Sequence, residues 1–168
     1  MALFARRTKQ YPPPATGQHD AVCVDVIDEG ETDSTWGTRH QVRCVFEVDP
    51  TTVGLRDDGR RHLVSAWYTL SLAPSSNLTR DLTDWGVLAV DAESIDLEQL
   101  VDTPARLVLI HAEVRDGRTV ARIKCILPAE PTHQLLASGE YERRGTDATA
   151  TQPARARPTG TGDEDIPF

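Results

Sequence analysis

Two sets of residues in this 168-residue chain have types and positions that suit binding chemistry. The first is the final hexapeptide, Asp163, Glu164, Asp165, Ile166, Pro167 and Phe168. It is too short and too charged to join a core, but it suits a ligand role. Phe168 can fill a small apolar pocket, a terminal carboxylate can meet a cation at its rim, and the acids can speed encounter with a basic surface. The second set combines flat rings with cations: Trp36 beside Arg39 and Arg43, Trp67, and then Arg115, Arg118, Arg122 and Lys124. Rings that stack on bases and cations that follow phosphates are what unpaired nucleic acid requires of a protein.

Other chemistry is poorly served. There is no Gly-rich phosphate loop, no GxSxG elbow and no HExxH helix. His19, His40, His62, His111 and His133 are scattered without metal-ligand spacing. Asp163 and Asp165 offer Mg²⁺ no fixed octahedral site. No enzyme activity, cofactor or metal is therefore expected. Cys23, Cys44 and Cys125 are odd in number, widely spaced and set in apolar patterns, and read as small buried hydrophobes in a reducing compartment.

The formal net charge is −8. From Glu140 onward there are six acids and four bases, a net of −2, which leaves −6 on the body. Any nucleic-acid site must then be a local basic groove on an acidic domain. MALFARRTKQ lacks a sustained apolar stretch and a small-residue cleavage site, and no run reaches the ~18 apolar residues of a membrane span. The expected location is the cytoplasm, away from membranes.

The elements that must position these residues follow from periodicity. Residues 1–18, with Tyr11-Pro12-Pro13-Pro14, read as an extended arm. A first strand starts at Asp20, with Val22, Val24 and Val26 alternating, and an acidic turn over Asp28–Asp33 follows, placed outside any phosphate groove. The second strand, Arg39–Asp49, sets Val42, Cys44, Phe46 and Val48 on one face and Gln41, Arg43, Val45 and Glu47 on the other. The third, His62–Leu72, puts Val64, Ala66 and Tyr68 inward, leaving Trp67 on the polar side, where stacking on a base and packing at a barrel end are both open.

Asn77 caps a short helix with Leu78, Leu82 and Trp85 on one side, and Gly86 ends it. A helical turn is expected at Asp96–Val101. Strands at Arg106–Ala112 and Thr119–Leu127 flank an Asp116-Gly117 hairpin turn. The body spans 19–136. Residues 137–162, rich in Ala, Thr, Gly, Pro and Arg, form a disordered linker before the tip at 163–168, with a reach on the order of 25–30 Å.

The order β-β-β-α-β-β in a mainly all-β chain is that of the five-stranded OB-fold barrel, whose strands 2 and 3 and loops 1–2 and 4–5 commonly bind single-stranded nucleic acid. The acids followed by Ile166-Pro167-Phe168 at the chain end resemble the C-terminal tip of bacterial single-stranded DNA-binding proteins. Between about Pro13 and Pro128, the GTRHQVRCVFEVD strand and the YTLSL…NL…DL segment resemble phage and mobile-element versions of that class. The resemblance implies a body that binds single-stranded DNA and a tip that recruits replication, recombination or repair proteins. Members are commonly oligomeric, so a homo-oligomer is one option it carries. The acidic body favours a different reading, an adaptor that binds protein rather than DNA and competes for the partners of such tips.

Overall fold

A computed structural model describes residues 13–89 and 91–144. Five strands form one antiparallel sheet: β1 (Gly17–Ser34), β2 (Gly37–Val48), β3 (Leu63–Thr69), β4 (Pro104–Glu113) and β5 (Thr119–Pro128). Their spatial order is β3-β2-β1-β4-β5, so the 18-residue β1 is central and pairs with β2 along most of its length and with β4 at its start. The two edge strands, β3 and β5, approach each other, but no ladder of hydrogen bonds joins them. The sheet is open in that sense.

β1 is longer than its apolar run suggests. The acidic segment Asp28–Asp33, expected as a turn, is strand paired with Thr38–Val42. Two register shifts, at Cys23/Asp25 and Asp28/Gly30, leave Val24 and Glu29 as extra residues on β1. Such bulges bend a strand and increase its twist. β3 and β4 differ from expectation only at their ends, β4 opening at Pro104 rather than Arg106.

The inner face of the sheet carries the main core. Val42, Cys44, Phe46 and Val48 of β2 line it as their alternation requires, with Cys23 and Val26 of β1 and Leu107, Leu109 and Ile126 of β4–β5. Helix α2 (Asn77–Trp85) covers this face with Leu78, Leu82 and Trp85. Trp85 packs on Phe46 with ring centroids 5.5 Å apart, and its indole N–H donates to the Pro104 carbonyl at 2.9 Å. Ser76 rather than Asn77 is the N-cap, its Oγ accepting from the Thr79 N–H at 3.1 Å. Gly86 ends the helix in the left-handed conformation that favours glycine.

Buried polar groups on this face are paired. The Tyr68 hydroxyl donates to Asp81 at 2.7 Å, tying β3 to α2. Burial, reinforced by that carboxylate, holds the phenol far above its usual pKa. Cys23 and Cys44 are free, buried thiols, and burial pushes Cys44 up to about 12. Leu97–Leu100 form the expected turn as a 3-10 helix capped by Asp96, with Leu100 in the core. A one-turn helix, α1 (Pro50–Val53), capped by Asp49, follows β2.

The outer face of β1 and β2 has a smaller core of its own: Val22, Val24, Ile27 and Val45, packed under Leu135 and Tyr141. Residues 130–144 cross this face as a strap. The expected start of a disordered linker, 137–144, is thus held on the domain by specific contacts. Among the described residues, no helix is long and apolar enough to cross a membrane.

Candidate nucleic-acid interface

The β1–β2 hairpin projects beyond the strap, and its tip carries Trp36. The Trp36 side chain is 85 % exposed. The turn that presents it is tied locally: the Ser34 hydroxyl donates to the Gly37 carbonyl at 2.7 Å, and the Trp36 N–H donates back to Ser34 Oγ at 3.2 Å. The Thr38 hydroxyl donates to Asp33 at 3.0 Å across the arm. A ring this exposed contributes nothing to the core, and it stands on a braced support.

Trp67 lies on the outer face of β3, directly opposite Arg43 of β2, and is 54 % exposed. The Arg43 guanidinium sits 5.0 Å from the Trp67 ring centroid, a cation–π contact that fixes one face of the indole. Alternation along β2 places Arg39 and Gln41 on this same face, with Thr69 across from Gln41. Trp67, Arg43 and Arg39 therefore share a surface, with Trp36 at its far end.

That surface is less basic than the sequence suggests. Arg43 Nε donates to Glu29 at 2.8 Å, and both side chains are mostly buried. Asp28 pairs with His40 at 2.6 Å. The acids expected outside the groove thus line the strand that carries it. The bulge at Glu29 is what turns a side chain of the acidic run towards Arg43, and no periodicity in the sequence signals that.

The remaining predicted cations occupy the opposite edge of the sheet. Arg115 and Arg118 flank the β4–β5 turn, where Gly117 N–H donates to the Val114 carbonyl at 2.9 Å with φ 87°. Arg118 is held by Asp116 at 2.6 Å, and both are exposed. Arg122 and Lys124 are exposed on β5, where a register shift interrupts the expected simple alternation. The structure brings Arg43 and Trp67 into contact and leaves Arg115, Arg118, Arg122 and Lys124 as a second basic strip. Asp163, Glu164, Asp165, Ile166, Pro167 and Phe168 lie outside the described residues, as do residues 1–12 and 145–162.

Two carboxylates on the outer face were not singled out by the sequence. Asp25 is fully buried, and its side chain accepts from the Tyr141 hydroxyl at 3.0 Å, Arg143 Nε at 3.2 Å and the Arg144 N–H at 2.7 Å. Burial and the bond to Asp25 push the Tyr141 phenol up to about 12, so it stays a donor. Glu47, also buried, accepts from the Ser138 N–H at 2.9 Å, the Ser138 hydroxyl at 2.7 Å and Arg61 at 3.2 Å. These acids anchor the strap, and the strap leaves open the half of the hairpin that holds Trp36, Arg39 and Arg43, with Trp67 of β3 beside it. No protein-family model matches the chain, and no curated protein matches it.

Proposed function

We propose that this protein binds single-stranded DNA in a sequence-tolerant way, acting in the cytoplasm, and recruits replication, recombination or repair proteins through residues 163–168. The observation that carries the reading is the Trp67–Arg43 pair on the outer face of β2–β3, with Trp36 fully presented at the end of the same hairpin. Bases stack on the open indole faces, and Arg39 and Arg43 follow the backbone. The strand order β3-β2-β1-β4-β5, the helix between β3 and β4 and the approach of β3 to β5 support an OB-fold, a partly open five-stranded barrel that uses this face for oligonucleotides. Arg115, Arg118, Arg122 and Lys124 extend the path along the 4–5 hairpin.

The pairing of Arg43 with Glu29 favours the second reading, a protein-binding adaptor, because it lowers the positive potential where phosphate would lie. Titrating the full chain with oligo-dT at two salt concentrations separates the readings. DNA binding gives tryptophan quenching that weakens as salt rises. An absence of quenching in dilute buffer, with no retarded complex, rejects the DNA reading.

A further inference from the structure

Three metal-ligating side chains meet where the strap joins the sheet. They are Asp20 of β1, Asp49 at the cap of α1, and His133 of the strap, far apart in sequence. His133 Nε2 lies 3.2 Å from Asp20 Oδ2 and 3.3 Å from Asp49 Oδ2, and all three ligand atoms lie within 4.8 Å of one another. A single imidazole N–H cannot point at two carboxylates, and both gaps exceed the ~2.7–2.9 Å of a charge-assisted hydrogen bond. Around a tetrahedral ion with N and O ligands at roughly 2.0–2.1 Å, neighbouring ligand atoms sit about 3.3 Å apart. The two His133 edges have that length.

The surroundings leave this corner short of positive charge. Asp49 is buried, and Asp20 is largely so. Asp20 Oδ1 is buried without a hydrogen-bond partner, with Arg106 Nε 3.6 Å away and that guanidinium also engaged by Glu130. On Asp49, Oδ1 is taken by the Thr51 N–H and hydroxyl at 2.9 and 2.8 Å, which orients Oδ2 towards His133. Two carboxylates and an imidazole that converge at this corner suit a cation between them.

We propose that Asp20, Asp49 and His133 form a zinc-type divalent cation site. Each supplies one ligand atom, and water completes the shell on the side where His133 is exposed. The Asp20 and Asp49 ligand oxygens lie within 4.8 Å of each other, and binding of the ion draws this third edge in. The ion pins the start of the strap to β1 and α1, so occupancy couples to how firmly residues 130–144 cover the outer face.

The test uses the full chain stripped with chelator and titrated with Zn²⁺ by calorimetry, with Co²⁺ absorption as a geometric probe. The expected result is one ion per chain at micromolar affinity, an intense Co²⁺ visible band and a melting temperature raised by Zn²⁺. His133→Gln and Asp49→Asn lower the affinity roughly 10- to 100-fold. Asn is itself a good N-cap, so Asp49→Asn removes the ligand charge while keeping α1. His40→Gln, outside the cluster, leaves binding unchanged. Binding only at millimolar Zn²⁺, or affinity that survives both His133→Gln and Asp49→Asn, overturns the proposal.

Discussion

The two halves of the β1–β2 hairpin use one sheet face in opposite ways. Near Val22–Ile27 and Val45–Glu47 the outer face is covered, and its two acids are buried and bonded to the strap. From Asp28 to Arg43 the strap does not cover the same face, which carries Trp36, Arg39, the partly buried Arg43 and, across on β3, Trp67. In the covered half each charge has a partner close enough to offset its desolvation. In the open half two indoles stay largely in water, an exposure that the core does not require. A folding constraint shapes one half, and the proposed DNA site lies on the other.

The sharpest way to break this contrast is at Asp25. Asp25→Ala leaves the Tyr141 hydroxyl and the Arg144 N–H without their acceptor, while Arg143 keeps Glu98, and is expected to lower stability by about 2–4 kcal/mol, read as a fall in the urea midpoint. A loss below ~1 kcal/mol shows that the strap is not held by that acid. Next in size is Trp67→Ala. It removes a half-exposed ring, so the urea midpoint hardly moves, while oligo-dT affinity falls by about 1–3 kcal/mol, roughly 5- to 150-fold. If stability drops and oligo-dT affinity does not, Trp67 belongs to the structural half.

Tyr141→Phe sharpens the comparison with one atom. It deletes a donor to a buried carboxylate and is expected to cost about 1–2 kcal/mol of stability with oligo-dT affinity unchanged, measured by denaturation and fluorescence in parallel. Smallest is Glu29→Gln. Removing the charge that offsets Arg43 is expected to tighten oligo-dT binding roughly two- to five-fold and to steepen the salt dependence. Unchanged affinity and salt slope place Arg43 outside the phosphate path.

Particular residues show how much was legible before the coordinates. The period-two run from Val42 to Val48 located both faces of β2, because one face must be apolar to be buried. Leu78, Leu82 and Trp85, ended by Gly86, located α2 for the same reason at helical spacing. Asp116-Gly117 marked its hairpin through the positive φ that the turn demands. The acidic run Asp28–Asp33 misled because strand propensity is low for these residues, yet pairing with Thr38–Val42 holds them extended. The strap misled because its composition is that of a linker, and its anchors Ser138, Tyr141 and Arg144 bond to acids about 90 to 120 residues earlier.

The amino-acid sequence by itself determined the alternating faces, the amphipathic helix, the turn chemistry and the two exposed-ring candidates, since each depends on neighbours within a few residues. Tertiary structure alone decided that Glu29 meets Arg43, that Arg43 covers one face of Trp67, that the strap closes over Asp25 and Glu47, and that Asp20, Asp49 and His133 converge. The physical reason is range. Local patterns are set by backbone geometry along the chain, whereas the partner of a buried charge is whichever distant group the bulges and sheet twist bring within about 3 Å.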